Sequence, residues 1–216
     1  MDLTCLAFDI AERYRSICTV LVDGNLGQMM EPAELPAMRP QKTQFQDWAT
    51  RGAAGRERRI HTSIYLNPIE QEKTNLRILN RWMEAKRNEV RYKEYFLDDA
   101  EIVVIGFGTA GRVALSAVRA AREQGIKVGL FRPVSVNPYP YKRVAELAAK
   151  AKSLLVVEMN TGQMLDDVRL AVNGRTPIEF YGRLGGVVPF PDEILGEIQR
   201  VAKGGFKMDE NPVHSW

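Results

Sequence analysis

Residues 101–132 read EIVVIGFGTAGRVALSAVRAAREQGIKVGLFR, and this stretch decides the fold. Ile102–Ile105 is a short apolar run of the kind that a strand covered on both faces requires. Glycines at 106, 108 and 111 turn the chain, and Thr109 is placed to cap the helix that follows. That helix carries Ala114, Ala117, Val118 and Ala121 along one side. Gly125 supplies a left-handed stop, after which Ile126–Phe131 reads as the next strand. Strand, turn, helix and strand make one half of a parallel α/β layer.

Toward the C-terminus the alternation continues. Tyr141–Ala151 predicts a helix with Val144, Leu147, Ala148 and Ala151 inward, and Ser153–Glu158 a third buried strand. Met164–Val172 predicts another helix, Pro177–Tyr181 a fourth strand, and Pro191–Ala202 a last helix with Asp192 and Glu193 in its first turn. This order gives an α/β fold class with a mostly parallel sheet and helices on both faces.

Toward the N-terminus the signals thin out. Leu3, Ala7, Ile10 and Tyr14 predict an amphipathic helix that begins almost at Met1, and Ile17–Val22 reads as a β-branched strand. One helix and one strand cannot make a core, so they are expected to be the end of a larger domain. Pro32, Pro36 and Pro40 and the basic, glycine-containing Arg51–Arg59 predict a long loop. Asn67, Pro68 and Glu70 form a helix start, and the helix is expected to run to about Tyr95 on a narrow stripe of Leu76, Leu79, Met83 and Val90. Such a helix suits a connector between domains.

Composition excludes several classes. A net charge of +3 over 216 residues, with mixed signs throughout, does not point to nucleic acid. No apolar run approaches a membrane span, and no basic-then-apolar leader is apparent. Cys5 and Cys18 show no CxxC spacing and read as buried free thiols of a reducing, cytoplasmic protein. The chain therefore lacks an iron–sulfur motif, and with only His61 and His214 no metal site is expected.

The spacing Gly106-x-Gly108-x-x-Gly111 matches a dinucleotide-binding turn, but that fingerprint has a second half. An acidic residue should close the second strand to hold a ribose. Ile126–Phe131 and the following Arg132-Pro133 contain none, so nicotinamide binding is set aside and Gly111 is assigned to helix–strand packing. A helix start can still accept an anion through its free amides. Gly106, Gly108, Thr109 and Gly111 thus remain candidate contacts for a phosphate, coenzyme A included.

Two turns echo each other. Val22-Asp23-Gly24-Asn25-Leu26-Gly27-Gln28-Met29 aligns with Val157-Glu158-Met159-Asn160-Thr161-Gly162-Gln163-Met164. Each follows an apolar run. Asn25, Gln28, Asn160 and Gln163 are expected to form polar surfaces facing a site or a subunit, with ordinary turn chemistry as the competing explanation.

The segments VDGNLGQMMEPAELP (22–36), NEVRYKEYFLDDAEIVVIGFGTAGR (88–112), VGLFRPVSVNPYP (128–140), VVEMNTGQMLDDVRLAVNG (156–174) and EFYGRLGGVVP (179–189) resemble the α subunit of 2-oxoacid:ferredoxin oxidoreductases, most closely the branched-chain (2-oxoisovalerate) type. The resemblance implies that residues 1–40 are the end of a truncated thiamine pyrimidine-binding-type domain. Residues 41–98 would then be loop and connector helix, 99–202 a domain like the transketolase C-terminal domain, and 203–216 a polar tail. It implies oxidative decarboxylation of a 2-oxoacid to an acyl-coenzyme A in a complete complex. Thiamine diphosphate, magnesium and iron–sulfur clusters would sit on β and γ partner subunits of an oligomer, and ferredoxin would receive the electrons. The acid-contacting segment and the activating carboxylate expected of the family are not found in this sequence. No catalytic residue is therefore assigned, no cofactor is expected on this chain alone, and its share is expected to be subunit contact. Two alternatives stay open: a non-catalytic assembly module, and a nucleotide-binding reductase domain using the glycine turn.

Overall fold

The computed structural model describes residues 1–38 and 47–206. Pro40, part of the expected loop, His214 and most of the expected tail lie outside the described residues. Seven helices are described: α1 (Asp2–Tyr14), α2 (Gly24–Gln28), α3 (Pro68–Asn88), α4 (Gly108–Glu123), α5 (Tyr141–Ala148), α6 (Gln163–Val172) and α7 (Pro191–Ala202). The strands are β1 (Tyr92–Tyr95), β2 (Ile102–Gly106), β3 (Val128–Pro133), β4 (Ser153–Glu158) and β5 (Ile178–Gly182). Two compact units divide the chain, one of Met1–Val20 and Glu31–Ala85, the other of Leu21–Met30 and Lys86–Trp216.

The second unit holds the sheet, in the order β1-β3-β2-β4-β5. β2 to β5 run parallel, with Val104 level with both Leu130 and Leu155. Every residue of β2 and β4 is buried, which is why both read as unbroken apolar runs. Alternation sorts them between two cores. Val104, Leu130, Leu155 and Val157 pack under Ala114, Ala117 and Val118 of α4 and Ile194 and Ile198 of α7. Val103, Ile105, Leu154 and Val156 pack under Val144 and Leu147 of α5 and Leu165 and Val168 of α6. Each of these valines, leucines and isoleucines contributes about 1.5–3 kcal/mol of burial, and each alanine about a kcal/mol or less. Gly125 stops α4 at a positive φ of 81°, as its position predicts.

β5 is the outermost strand on one side. Its Glu179 is buried and paired with Arg200 of α7 at 2.7 Å, and Arg200 also reaches Glu197 at 2.6 Å. On the other side the structure corrects the expected long helix. α3 ends at Asn88 and the chain turns into β1, antiparallel to β3. The reversal is held at Arg91, whose amide donates to Ser135 Oγ (2.9 Å) and whose carbonyl accepts from Val134 and Ser135 (2.9 and 3.0 Å). Buried Glu89 pairs with Arg91 at 2.5 Å. Tyr92 then stacks on Phe131 with ring centroids 5.0 Å apart. β-Branched and aromatic residues in Val90–Tyr95 pack on a pleated surface better than they prolong a charged helix.

The first unit is sparsely packed. α1 closes at Arg15, which takes a left-handed φ of 46°. The Arg15 guanidinium lies 5.3 Å over the Trp48 ring and 2.7 Å from His61 Nδ1. Asn67 Oδ1 accepts from Ile69 N at 2.9 Å, so α3 begins as its capping residues predict. Tyr14 and Ala85 are the buried apolar residues described here, while Leu3, Phe8, Ile64 and Leu66 are exposed. Cys5 and Cys18 are free and half-buried rather than buried.

Ile17–Val22 is also corrected. It pairs with no strand among the described residues, and Ile17, Leu21 and Val22 are exposed. A β-branched run becomes a strand only when a neighbour takes its backbone groups.

Candidate functional site

Parallel register brings the ends of β2 and β4 together, with Gly106 level with Val157. The next helices, α4 and α6, therefore start from neighbouring strand ends at the C-terminal edge of the sheet, one packing on each face. In open α/β sheets this edge is where ligands are met. Each helix start presents backbone amides without helical partners and the positive end of a dipole. In both, a carboxylate of the chain itself answers that demand.

At α6 the carboxylate is Glu158, the last residue of β4 and 1% exposed. Its Oε2 accepts from Met164 N (2.9 Å) and Asn160 Nδ2 (3.0 Å), and its Oε1 from Leu165 N (2.9 Å). Burial outweighs those three donors and holds the carboxyl above its ordinary pKa. Asn160 is used up in the same turn, since its Oδ1 accepts from Gly162 N (2.7 Å) and Gln163 N (3.0 Å). Beneath the turn, burial and then the charge of Asp167 raise the Tyr139 hydroxyl far above its usual range. Tyr141 donates to Asp167, a bond that pushes its own pKa up to about 12.

At α4 the three glycines do different things. A Cβ on Gly111 would lie 2.5 Å from Gly106 O, and one on Gly106 would lie 3.3 Å from both Gly111 Cα and Val157 O. These two let helix and strand approach, as expected of Gly111. Gly108 has a φ of +55°, which favours glycine. Thr109 does not cap the helix: α4 starts at Gly108 after Phe107, and Thr109 is a buried residue of the first turn.

The counter-charge here comes from far away in sequence. Asp23 Oδ1 accepts from Leu26 N at 2.7 Å, and Oδ2 lies 3.6 Å from where a Gly108 Cβ would be. Partial burial works to raise the Asp23 pKa. It is outweighed by the Leu26 amide, the Thr109 hydroxyl and amide and the Asn25 amide, which together leave it below its ordinary value. Thr109 Oγ1 is buried with no partner at hydrogen-bond geometry, so its pull on Asp23 is that of a nearby dipole.

The eight candidate residues thus separate. Gly106, Gly108, Thr109 and Gly111 form one cradle, with Asp23 in it. Asn160 is internal. Gln28 and Gln163 are exposed, and Asn25 makes one long contact to Gly186 O at 3.5 Å. In both echoing turns an acid accepts from backbone amides further along the turn, Asp23 from Leu26 N and Glu158 from Met164 N and Leu165 N, and in the second turn Asn160 joins it. The signal was the acid after valine in both stretches. Among the described residues, no group of three or more His, Cys, Asp or Glu could hold a metal ion, and no helix is long and apolar enough to cross a membrane.

The chain is similar to proteins of known family. Residues 100–209 match the family model described as pyruvate:ferredoxin oxidoreductase core domain II. A ketoisovalerate oxidoreductase subunit VorB of Methanothermobacter thermautotrophicus is 40% identical over 93% of this chain and 57% of its own length. A 2-oxoglutarate synthase subunit KorA of Methanothermobacter marburgensis is 30% identical over 91% of this chain and 60% of its own length. The chain therefore spans somewhat more than half of these relatives. In fold it is similar to a 2-oxoglutarate:ferredoxin oxidoreductase from Magnetococcus marinus, with a TM-score of 0.54 and 20% identity over 64% of this chain and 24% of that one.

Proposed function

Because the chain belongs to the pyruvate:ferredoxin oxidoreductase core domain II family, we propose that it is a portion of the α subunit of a 2-oxoacid:ferredoxin oxidoreductase. The branched-chain acids are the substrate class, and the product is an acyl-coenzyme A. One observation carries this: a ketoisovalerate oxidoreductase subunit matches nearly the whole chain in sequence. The chain's own share is subunit contact.

Its surface supports that role. Around the C-terminal edge Met29, Met30, Leu184, Val187 and Phe190 are exposed beside Asn25, Gln28 and Gln163. Methionine, aromatics and uncharged polar groups, with few charges, compose the centre of a protein interface. In this proposal β and iron–sulfur γ subunits in the cytoplasm cover it and deliver electrons to ferredoxin. Residues 1–40 close a pyrimidine-binding-type domain, 41–98 connect, and 99–202 form a transketolase-C-like domain. The thin burial of the first unit fits a domain completed by other segments.

Among the described residues no group of three or more His, Cys, Asp or Glu could hold a metal ion, and in this proposal the magnesium–diphosphate end of thiamine diphosphate is held by a partner subunit. That cofactor and the reaction centre are assigned to the partners. Coenzyme A would approach through the glycine turn, where Asp23 stands.

The test is reconstitution. Alone, the chain is expected to show no ferredoxin reduction with 2-oxoisovalerate and coenzyme A. Co-expressed with candidate β and γ subunits, it should co-purify and restore turnover. Turnover by the isolated chain would overturn the assignment.

A further inference from the structure

We propose that Asp23 is a releasable counter-ion: its carboxylate fills the anion seat at the start of α4, straps residues 21–30 to the α/β unit, and yields to an external phosphate. The proposal stands on the geometry of the turn and survives if the family assignment of substrate fails.

Four observations carry it. The seat lies at a turn that favours glycine, because Gly108 adopts a positive φ, and an Asp23 carboxylate oxygen already stands there, 3.6 Å from where a Gly108 Cβ would be. The seat is also under-filled. Thr109 is 7% exposed, and its hydroxyl has no hydrogen-bond partner although it neighbours Asp23. The Asp23 carboxylate is already engaged by Leu26 N at 2.7 Å, with the Thr109 and Asn25 amides acting on it too. A phosphate brings a further acceptor for the unused hydroxyl donor.

The strap has little else to hold it. Leu21, Val22, Met29 and Met30 are exposed, Met30 at 97%, so the segment buries little apolar surface. Its other polar tie, Asn25 Nδ2 to Gly186 O, is at the limit of hydrogen-bond range. Lastly, the seat admits one anion at a time. Two negative groups within a few ångströms repel, so phosphate entry and Asp23 departure are the same event. The ligand class is a phosphate or diphosphate ester, the chemistry shared by coenzyme A and nucleotides.

Hydrogen exchange on the full chain tests the strap, and amide NMR tests the seat. In Asp23→Ala and Asp23→Asn, residues 24–29 are expected to exchange about tenfold faster or more, as befits loss of a charge-assisted bond. Amides of β2 and β4 should be unchanged. Pyrophosphate should shift the Gly108 and Thr109 amides in Asp23→Ala at about tenfold lower concentration than in the wild type. Thr109→Val should weaken that binding while leaving the strap protected. Coenzyme A and NADP, titrated in parallel, distinguish the source of the phosphate. Unchanged exchange of 24–29 in both Asp23 variants would overturn the proposal, as would pyrophosphate that leaves Gly108 and Thr109 unmoved in Asp23→Ala. Should Asp23→Ala fail to fold, Asp23→Asn keeps the side-chain size and gives both readouts.

Discussion

The starts of α4 and α6 solve one physical problem in two ways. Both follow a buried parallel strand and both take a carboxylate from the chain. At α6 the acid is the last residue of the strand itself, sealed in the core with three donors. At α4 it arrives from a segment about eighty-five residues earlier, is half-exposed, and rests on a turn shaped by glycine. A local counter-ion is part of the fold. A borrowed one is a connection, and connections can be undone.

The largest expected contrast lies in the glycines. Gly111→Ala would place a Cβ 2.5 Å from Gly106 O and 2.9 Å from Gly106 C, both backbone atoms that cannot step aside. A loss of about 3 kcal/mol or more is expected, read as a shift in denaturant midpoint. Gly162→Ala at α6 meets the Leu165 side chain at 3.1 Å and a φ of +106°, for which about 1–2 kcal/mol is expected. If Gly162→Ala proved the costlier change, the α4 turn would not be the tighter of the two.

Glu158→Gln comes next. The amide nitrogen cannot accept, so one of the donors at Met164, Leu165 or Asn160 is left unsatisfied in the core. About 1–3 kcal/mol is expected, and a near-neutral result would mean that the turn can repack around the loss.

The smallest effect is the most diagnostic, because the two acids should titrate in opposite senses. Asp23 is held below its ordinary 3.8, so its contribution is present above that value and is lost as pH falls through its folded pKa. Glu158 is held above its ordinary 4.5, so the folded state binds its proton more tightly. Its contribution therefore declines as pH rises from 4.5 through the folded pKa. Stability against pH for the wild type, Asp23→Asn and Glu158→Gln should show each variant lacking one slope. Equal slopes in all three would erase the distinction between the two seats.

How much of this was legible beforehand differs between the two halves of the chain. β4 and α7 fall on the residues that periodicity assigns, and β2, α4, α6 and β5 within a residue or two, because each is bounded by a turn and, β5 apart, buried on a continuous face. β1 was hidden, since Val90 also fits the helical stripe and only long-range pairing to β3 decides between helix and strand. Ile17–Val22 failed for the converse reason: a sequence can favour an extended strand without supplying its neighbour. At the site, the glycine turn and both echoing turns were visible as local patterns. Their connection was not, because Asp23 meets Gly108 through the fold alone. No period or motif spans that distance.

The Glu179–Arg200 pair bears on how the molecule behaves in company. β5 ends the sheet with a row of backbone groups that no strand among the described residues takes up, which is the usual starting point for pairing between molecules. A buried carboxylate held by α7 sits on that very strand, so a second strand added there would meet a charge near its apolar side chains. Inward-pointing charge is a recognised guard against such edge-to-edge growth. The Glu179–Arg200 pair thus places on the outer strand the kind of inward charge that makes edge pairing less favourable.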